Sequence, residues 1–142
     1  MDDKLDILLV EDNLADAALV IEASKEGELV NFTTVENGIE ALSYLRKEGK
    51  YKDVKTPNII FLDLNLPKKN GHEFLSEIKQ DEYLKRIPII ILTSSKSRED
   101  ILKSYNLYAN CYIQKPVDFD GFVRMIQSVK EFWLSLVTLP SM

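Results

Sequence analysis

Asn58-Ile59-Ile60-Phe61-Leu62-Asp63-Leu64-Asn65-Leu66-Pro67 decides the fold, because a continuous apolar run ends there on a carboxylate and gives way to turn-forming residues. An apolar run without polar alternation suits a strand covered on both faces, as in a parallel sheet. The layout recurs on either side of it. Ile7-Leu8-Leu9-Val10 runs into Glu11-Asp12, Ile89-Ile90-Ile91-Leu92 into Thr93-Ser94, and Cys111-Tyr112-Ile113 through Gln114 into Lys115-Pro116. As parallel strands these runs would end along one edge, and ligands of open α/β sheets bind outside that carboxyl edge. Glu11, Asp12 and Asp63 would meet the Thr93 hydroxyl and the Lys115 ammonium there, a set suited to a cation and a phosphoryl group.

Strands are expected over 5–10, 30–35, 58–62, 87–92 and 111–114. The second is mixed and β-branched, which suits a sheet edge. Between them Asn13, Asn37, Asn70, Ser97 and Asp118 can each cap a helix by accepting bonds from unpaired backbone N–H groups. Asp16, Glu40, Glu73 and Asp100 follow the first four caps at the spacing of a capping box. The expected apolar stripes are Leu14, Ala17, Ala18 and Ile21; Ile39, Leu42 and Leu45; Phe74, Leu75 and Ile78; and Ile101, Leu102 and Tyr105. Gly27 and Gly49 stand where the first two helices should stop. Strands alternating with helices imply right-handed crossovers and a parallel sheet. The expected fold is a doubly wound (βα)5 α/β domain of flavodoxin-like strand order 2-1-3-4-5.

A chain of 142 residues suits one domain, 1–142, with its core over about 4–130. Apolar content of 45% and charged content of 29% are those of an ordinary globular protein. The net charge of -5 and the lack of a basic run argue against nucleic-acid binding. Cys111, the single cysteine, excludes an internal disulfide and fits a reducing compartment; it reads as a small buried residue heading a strand. The start reads as no signal peptide, and no apolar stretch approaches the ~18 residues of a membrane span, so a cytoplasmic protein is expected.

Crowded carboxylates repel, and burying them unpaired is costly. A hard divalent cation relieves that cost, and Mg2+ takes one or two carboxylates together with phosphate oxygens. Read singly, the acids could be solvated strand ends, Lys115 a surface lysine and Thr93 β-branched filler. It is their convergence that points to chemistry. Pro116 biases Lys115 towards an extended backbone and keeps it out of the next helix.

Over nearly its whole length the chain resembles a response-regulator receiver domain. The resemblance rests on Leu9-Val10-Glu11-Asp12-Asn13, on Asp63-Leu64-Asn65-Leu66-Pro67-Lys68-Lys69-Asn70-Gly71, on Thr93-Ser94, and on Tyr112-Ile113-Gln114-Lys115-Pro116. It is similar in particular to the small stand-alone receivers paired with bacteriophytochrome-type histidine kinases, through Asn110-Cys111-Tyr112-Ile113-Gln114-Lys115-Pro116-Val117 and Phe132-Trp133-Leu134. The resemblance implies that Asp63 accepts a phosphoryl group from a kinase phosphohistidine. It implies that Asp12 ligates Mg2+ directly, Glu11 through water and Asn65 through its backbone carbonyl. Thr93 and Lys115 would bind the phosphoryl oxygens, and Thr93 with Tyr112 would form a two-state switch. Transfers of this kind depend on positioning and charge cancellation, and a carboxylate nucleophile needs no general base.

Three features depart from that family's pattern. Glu11 stands where Asp is usual, Ser95 and Asn65 flank the site where they could tune phosphoaspartate hydrolysis, and Tyr108 stands where Gly usually caps helix four. Tyr would be strained in the left-handed conformation of such a cap. His72, the only histidine, reads as a solvated residue in the first turn of helix three. A Mg2+-dependent phosphohydrolase would want an acid where Asn65 stands, and a nucleotide or flavin binder a Gly-rich first turn where Glu11-Asp12-Asn13-Leu14 is acidic. A phosphorylation-independent scaffold would have no use for an intact site.

Helix five, about 119–137, is too apolar for one-sided burial. Phe119, Phe122, Val123, Ile126, Val129, Trp133 and Val137 form the stripe expected to face the sheet, and Met125, Phe132 and Leu136 widen it to an arc of roughly 200°. With Leu139 in the tail over 131–142, these residues suggest a homodimer contact at Met125, Phe132, Trp133, Leu136 and Leu139; the plainer reading is a tail folded back on its own domain.

Overall fold

The computed structural model describes residues 4–25 and 29–140. Parallel strands β1 (Leu5–Val10), β2 (Val30–Val35), β3 (Ile59–Leu62), β4 (Ile89–Thr93) and β5 (Cys111–Gln114) form one sheet in the order β2-β1-β3-β4-β5. Helices α1 (Leu14–Ser24), α2 (Gly38–Leu45), α3 (Gly71–Gln80), α4 (Arg98–Asn106) and α5 (Phe119–Lys130) connect and follow them. This is the doubly wound plan expected from the sequence, and each strand starts or stops within two residues of its expected bounds.

Period-two alternation of the strands splits the core into two layers. Leu8, Val10, Ile60, Leu62, Ile89 and Ile91 pack with α2 and α3. Leu5, Ile7, Leu9, Ile59, Phe61, Ile90 and Leu92 pack with α1 and α5. Both faces are covered, so the strands are apolar without alternation, and each fully buried side chain of this kind contributes about 1.5–3 kcal/mol.

All five expected caps form: the side chains of Asn13, Asn37, Asn70, Ser97 and Asp118 each accept the backbone N–H three residues on. Only Asn70 and Glu73 complete a reciprocal capping box. The other three acids expected at that position are drawn elsewhere: Asp16 to Lys115, Glu40 to the Tyr51 hydroxyl and Asp100 to the Ser95 hydroxyl.

Several stripes turn out rotated. In α1 the buried residues are Ala17, Val20 and Ala23, while Leu14, Ala18 and Ile21 are exposed; the small alanines let the helix lie close to the sheet. Ala41, Leu42 and Leu45 face inward in α2, and Ile39 does not. The stripe of α3 is as expected. In α4 only Ser104 is fully covered, and Leu102 and Tyr105 are exposed.

The end of α2 corrects a second expectation, whereas the end of α4 is as expected. Helix α2 stops at Leu45, and Lys47 (φ 57°), not Gly49, takes the left-handed position, with Lys47 N–H donating to the Tyr44 carbonyl and Glu48 N–H to the Ser43 carbonyl. Gly49 instead opens a short 3-10 turn, Gly49–Tyr51. The expected stop at Gly27 lies outside the described residues. Helix α4 closes in the same way, with Tyr108 at φ 71° donating to the Tyr105 carbonyl and Ala109 N–H to that of Ser104.

Helix α5 does not run as an α-helix to 137. It widens into a π-helix over Glu131–Leu136, closed by the Val137 N–H on the Phe132 carbonyl at 3.0 Å. The wider turn sets Trp133 and Leu134 against the chain's own core, as are Met125 and Leu139, so the tail folds back. Phe132 and Leu136 stay exposed, and so does much of Phe119.

Tyr108 is 75% exposed, so its side chain contributes little packing to offset its left-handed backbone. Tyr108→Gly is expected to stabilise the fold by about 1 kcal/mol, the cost of placing a residue with a Cβ in that region. Chemical denaturation measures it; a loss of stability would show that Tyr108 holds α4 through contacts of its own.

Candidate functional site

The sheet delivers the site residues by continuing its ladder. The Glu11 N–H donates to the Val35 carbonyl (2.9 Å), the Asp63 N–H to that of Val10 (3.1 Å) and the Lys115 N–H to that of Thr93 (2.8 Å). Gly71 brings α3 hard against the end of β3, where a Cβ would lie 2.4 Å from the Asp63 carbonyl oxygen and 2.6 Å from Leu64 Cα. No side chain fits there.

At the centre stands Lys115. Its Nζ is 2.7 Å from Asp16 Oδ2, 2.8 Å from Glu11 Oε1 and 3.0 Å from Asp63 Oδ2. An ammonium has three N–H donors, and here each has its own carboxylate. Glu11 is 2% and Asp63 6% exposed, whereas Asp12 lies open to solvent. The second oxygen of each inner acid is also held: Glu11 Oε2 accepts the Asn13 N–H and Asp63 Oδ1 the Asn65 N–H, both at 3.2 Å.

Burial pushes the Glu11 carboxyl up to about 7; the hydrogen bond from Lys115 opposes the rise, and the bond to Asp63 and its charge add to it. Burial would raise Asp63 too, but hydrogen bonds from Glu11 and Lys115 prevail and hold it below its ordinary value. The two carboxyls are thus pushed apart, Glu11 upward and Asp63 downward. Lys115 is pushed up: burial works against its charge, and bonds to Asp16, Glu11 and Asp63 outweigh it.

Carboxylate oxygens of Glu11, Asp12 and Asp63 lie within 4.8 Å of one another. All are hard oxygen donors on one open rim, a set that fits a divalent cation which keeps part of its water. Asn65 stands two residues past Asp63 on the same rim, exposed. Thr93 is fully buried at the end of β4, and its Oγ1 is within 3.5 Å of the Ser95 N–H. The Tyr112 hydroxyl donates to the Ser95 carbonyl at 3.0 Å, so this side chain is turned inward rather than being a plain strand residue.

Glu11, Asp12, Asp63 and Lys115 are thus brought together as their strand-end positions require, and Thr93 and Tyr112 are linked to each other through Ser95. Asp16 was missed. Its position three residues after the cap reads as a capping acid, yet it also lies one helical turn beyond Asp12, and that spacing was the signal that it could face the same mouth. His72 is half-buried rather than freely solvated: its Nε2 lies 3.0 Å from Ser104 Oγ, and burial, aided by Lys103, lowers its pKa.

Residues 7–127 match the model of the response regulator receiver domain. The response regulator Rcp1 of Synechocystis sp. is 44% identical over 136 residues, which cover 95% of this chain and 92% of that protein. Among solved structures, the phosphorylated cyanobacterial phytochrome response regulator RcpA is 47% identical with a TM-score of 0.90, covering 97% of this chain and 99% of that one. The Mn(2+)-bound form of Rcp1 is 43% identical with a TM-score of 0.88, covering 96% and 99%.

A cation and a proton compete for Glu11. Its carboxyl is raised in the fold, so its contribution to stability is fully present below the unfolded value and is lost as pH rises through about 7. Metal binding runs the other way, because only the ionised form ligates. Affinity for Mg2+ is expected to be level above about pH 8 and to fall by up to about tenfold per unit below pH 7. Calorimetric titration at pH 6, 7 and 8 measures this, and a constant affinity would place the proton elsewhere.

Proposed function

Because the chain belongs to the response regulator receiver family, we propose that it is a phosphoacceptor switch of two-component signalling in which Asp63 takes a phosphoryl group from a phosphohistidine of a sensor histidine kinase. The observation that carries this reading is the Asp63 carboxylate, paired with Lys115 at 3.0 Å and set within the acidic rim. An Asp63 oxygen attacks phosphorus, the P–N bond breaks, and its electron pair returns to the imidazole nitrogen. No base is needed, because the carboxylate is already charged. Glu11, Asp12, Asp63 and the Asn65 carbonyl would hold Mg2+, which when bound cancels charge on the phosphoryl oxygens. Lys115 and Thr93 bind the remaining oxygens. The chain's chemistry is then limited to gaining and losing its own phosphoryl group, and Asn65 in place of a second acid speaks against a phosphohydrolase.

The switch starts at Thr93. A phosphoryl group adds roughly two negative charges, and a hydroxyl drawn towards them moves away from the Ser95 N–H. Ser95 carries the Tyr112 hydrogen bond on its carbonyl, so loop, β5 and α4 shift together.

The likeness to Rcp1 and RcpA supports a phytochrome-type kinase as partner. Leu14 (68% exposed) and Val117 (98%) flank the mouth and would meet its apolar surface. A homodimer would use the outer side of α5 and its π-helical extension, where Phe132 and Leu136 are exposed while Met125, Trp133 and Leu139 pack inward. The charge of -5 argues against nucleic acid as partner. Among the described residues no helix is long and apolar enough to cross a membrane, in keeping with action in the cytoplasm.

With Mg2+ and acetyl phosphate, the wild-type chain is expected to gain the mass of one phosphoryl group. Asp63→Asn should gain none, and chelation of the metal should abolish the gain; full labelling of Asp63→Asn would remove Asp63 from its role. Sedimentation separates the assembly states: a dimeric wild type should become monomeric as Phe132→Ala, Leu136→Ala, and a wild type that is monomeric with and without phosphodonor ends the dimer proposal.

A further inference from the structure

The shortest of the three Lys115 contacts, at 2.7 Å, is to Asp16, a residue outside the acidic rim. The two partners that do belong to the rim, Glu11 and Asp63, are those a cation and an incoming phosphoryl group require. While Lys115 holds Glu11 Oε1 and Asp63 Oδ2, those two oxygens are not open to a cation or a phosphoryl group. An ammonium displaced from them by a dication is repelled from the mouth unless another negative charge keeps it near. Asp16 is placed to do so. It is anchored in the first turn of α1 by the Asn13 cap, and its side chain is 27% exposed against 2% and 7% for those of Glu11 and Asp63. Its charge is therefore the least costly of the three to keep without relief from a metal.

We propose that Asp16 is a positioning residue that keeps the Lys115 ammonium at the mouth while Glu11 and Asp63 are released to the cation and the phosphoryl group. The inference rests on the reading of Asp63 as phosphoacceptor. It makes the lysine a hinged contact: Asp16 is its constant partner, and the two inner carboxylates are exchanged for phosphoryl oxygens. Without Asp16, Lys115 falls back onto Glu11 and Asp63 and competes with the metal.

The test is a double-mutant cycle of Asp16→Asn and Lys115→Met, read by calorimetric Mg2+ affinity and by the rate of acetyl-phosphate labelling at saturating Mg2+. Asp16→Asn alone is expected to weaken Mg2+ binding and slow labelling by roughly five- to tenfold each. In the Lys115→Met background the same change should alter affinity less than about twofold, because there is no ammonium left to hold. An effect of equal size in both backgrounds would mean that Asp16 acts through its charge on the metal or through α1, and would overturn the proposal. So would wild-type affinity and rate in Asp16→Asn. Asp16→Ala is carried through the same cycle in case one variant fails to fold, and Asp16→Glu, which restores the charge, should recover part of the rate. Asp63→Asn run in parallel separates the two readings: if it labels like wild type the phosphoacceptor assignment fails, whereas if it stays unlabelled while the cycle is additive, only the role of Asp16 fails.

Discussion

Two carboxylates lie buried side by side at the end of a parallel sheet, and a single ammonium holds them there. Glu11 and Asp63 would each carry a large desolvation cost alone, and together they repel. Lys115 answers both costs with one side chain that reaches Glu11, Asp63 and Asp16 at once. The arrangement is only partly neutralised, and burial leaves the Glu11 carboxyl raised above its ordinary range. Three oxygen-donor acids gathered within 4.8 Å of one another are a set that suits a cation. The rest of the architecture serves to place these residues: β1 and β3 adjoin at the point where the strand order reverses, β5 delivers the lysine from two strands away, and Gly71 lets α3 close against Asp63.

Where a single local rule decided the outcome, the sequence was legible. Unbroken apolar runs placed β1, β3 and β4, because strands buried on both faces tolerate nothing else, and the five caps followed from side chains that can satisfy backbone donors in their own first turn. Legibility failed where two partners competed for one group. Asp16, Glu40 and Asp100 had one partner at the cap and another farther off, a distant strand end for Asp16, Tyr51 for Glu40 and the preceding loop for Asp100, and the farther one won each time. The orientation of α1 failed for another reason: Leu14-Ala15-Asp16-Ala17-Ala18-Leu19-Val20-Ile21 is apolar on most sides, so periodicity could not choose, and close approach to the sheet favoured the alanines. The π-helical turn at the chain's end carries no sequence signature at all. Its effect is to exchange which of Phe132, Trp133 and Leu134 meet the core.

The sheet edge and the surface remote from it are joined by one residue of the β4–α4 loop. Ser95 offers its N–H to Thr93, its carbonyl to Tyr112 and its hydroxyl to Asp100 in the first turn of α4. Its contact with Thr93, at 3.5 Å, is the longest of the three, and those to Tyr112 and Asp100 are 3.0 Å and 2.6 Å. A pull on Thr93 that carries Ser95 with it would act on Tyr112 and Asp100 through these two shorter bonds. Through Asp100 the displacement would enter α4, which has little to resist it. Ser104 is the only fully buried residue of that helix, and Leu102 and Tyr105 face out. Elements with few buried apolar contacts open and shift at the lowest cost.

Tyr108 fits the same logic. A left-handed tyrosine at the end of α4 stores strain there, and the residue is 75% exposed, as Tyr105 and Leu102 of the same helix are also exposed. Backbone strain survives where the surrounding structure fixes it, and here two backbone bonds, from Tyr108 to Tyr105 and from Ala109 to Ser104, do so. Glycine would relax the turn and remove an exposed aromatic ring from the end of α4. Under the proposed switch, the residue that strains the end of α4 would also give that helix an exposed ring to present. Stability and signalling would then make opposite demands on this one position.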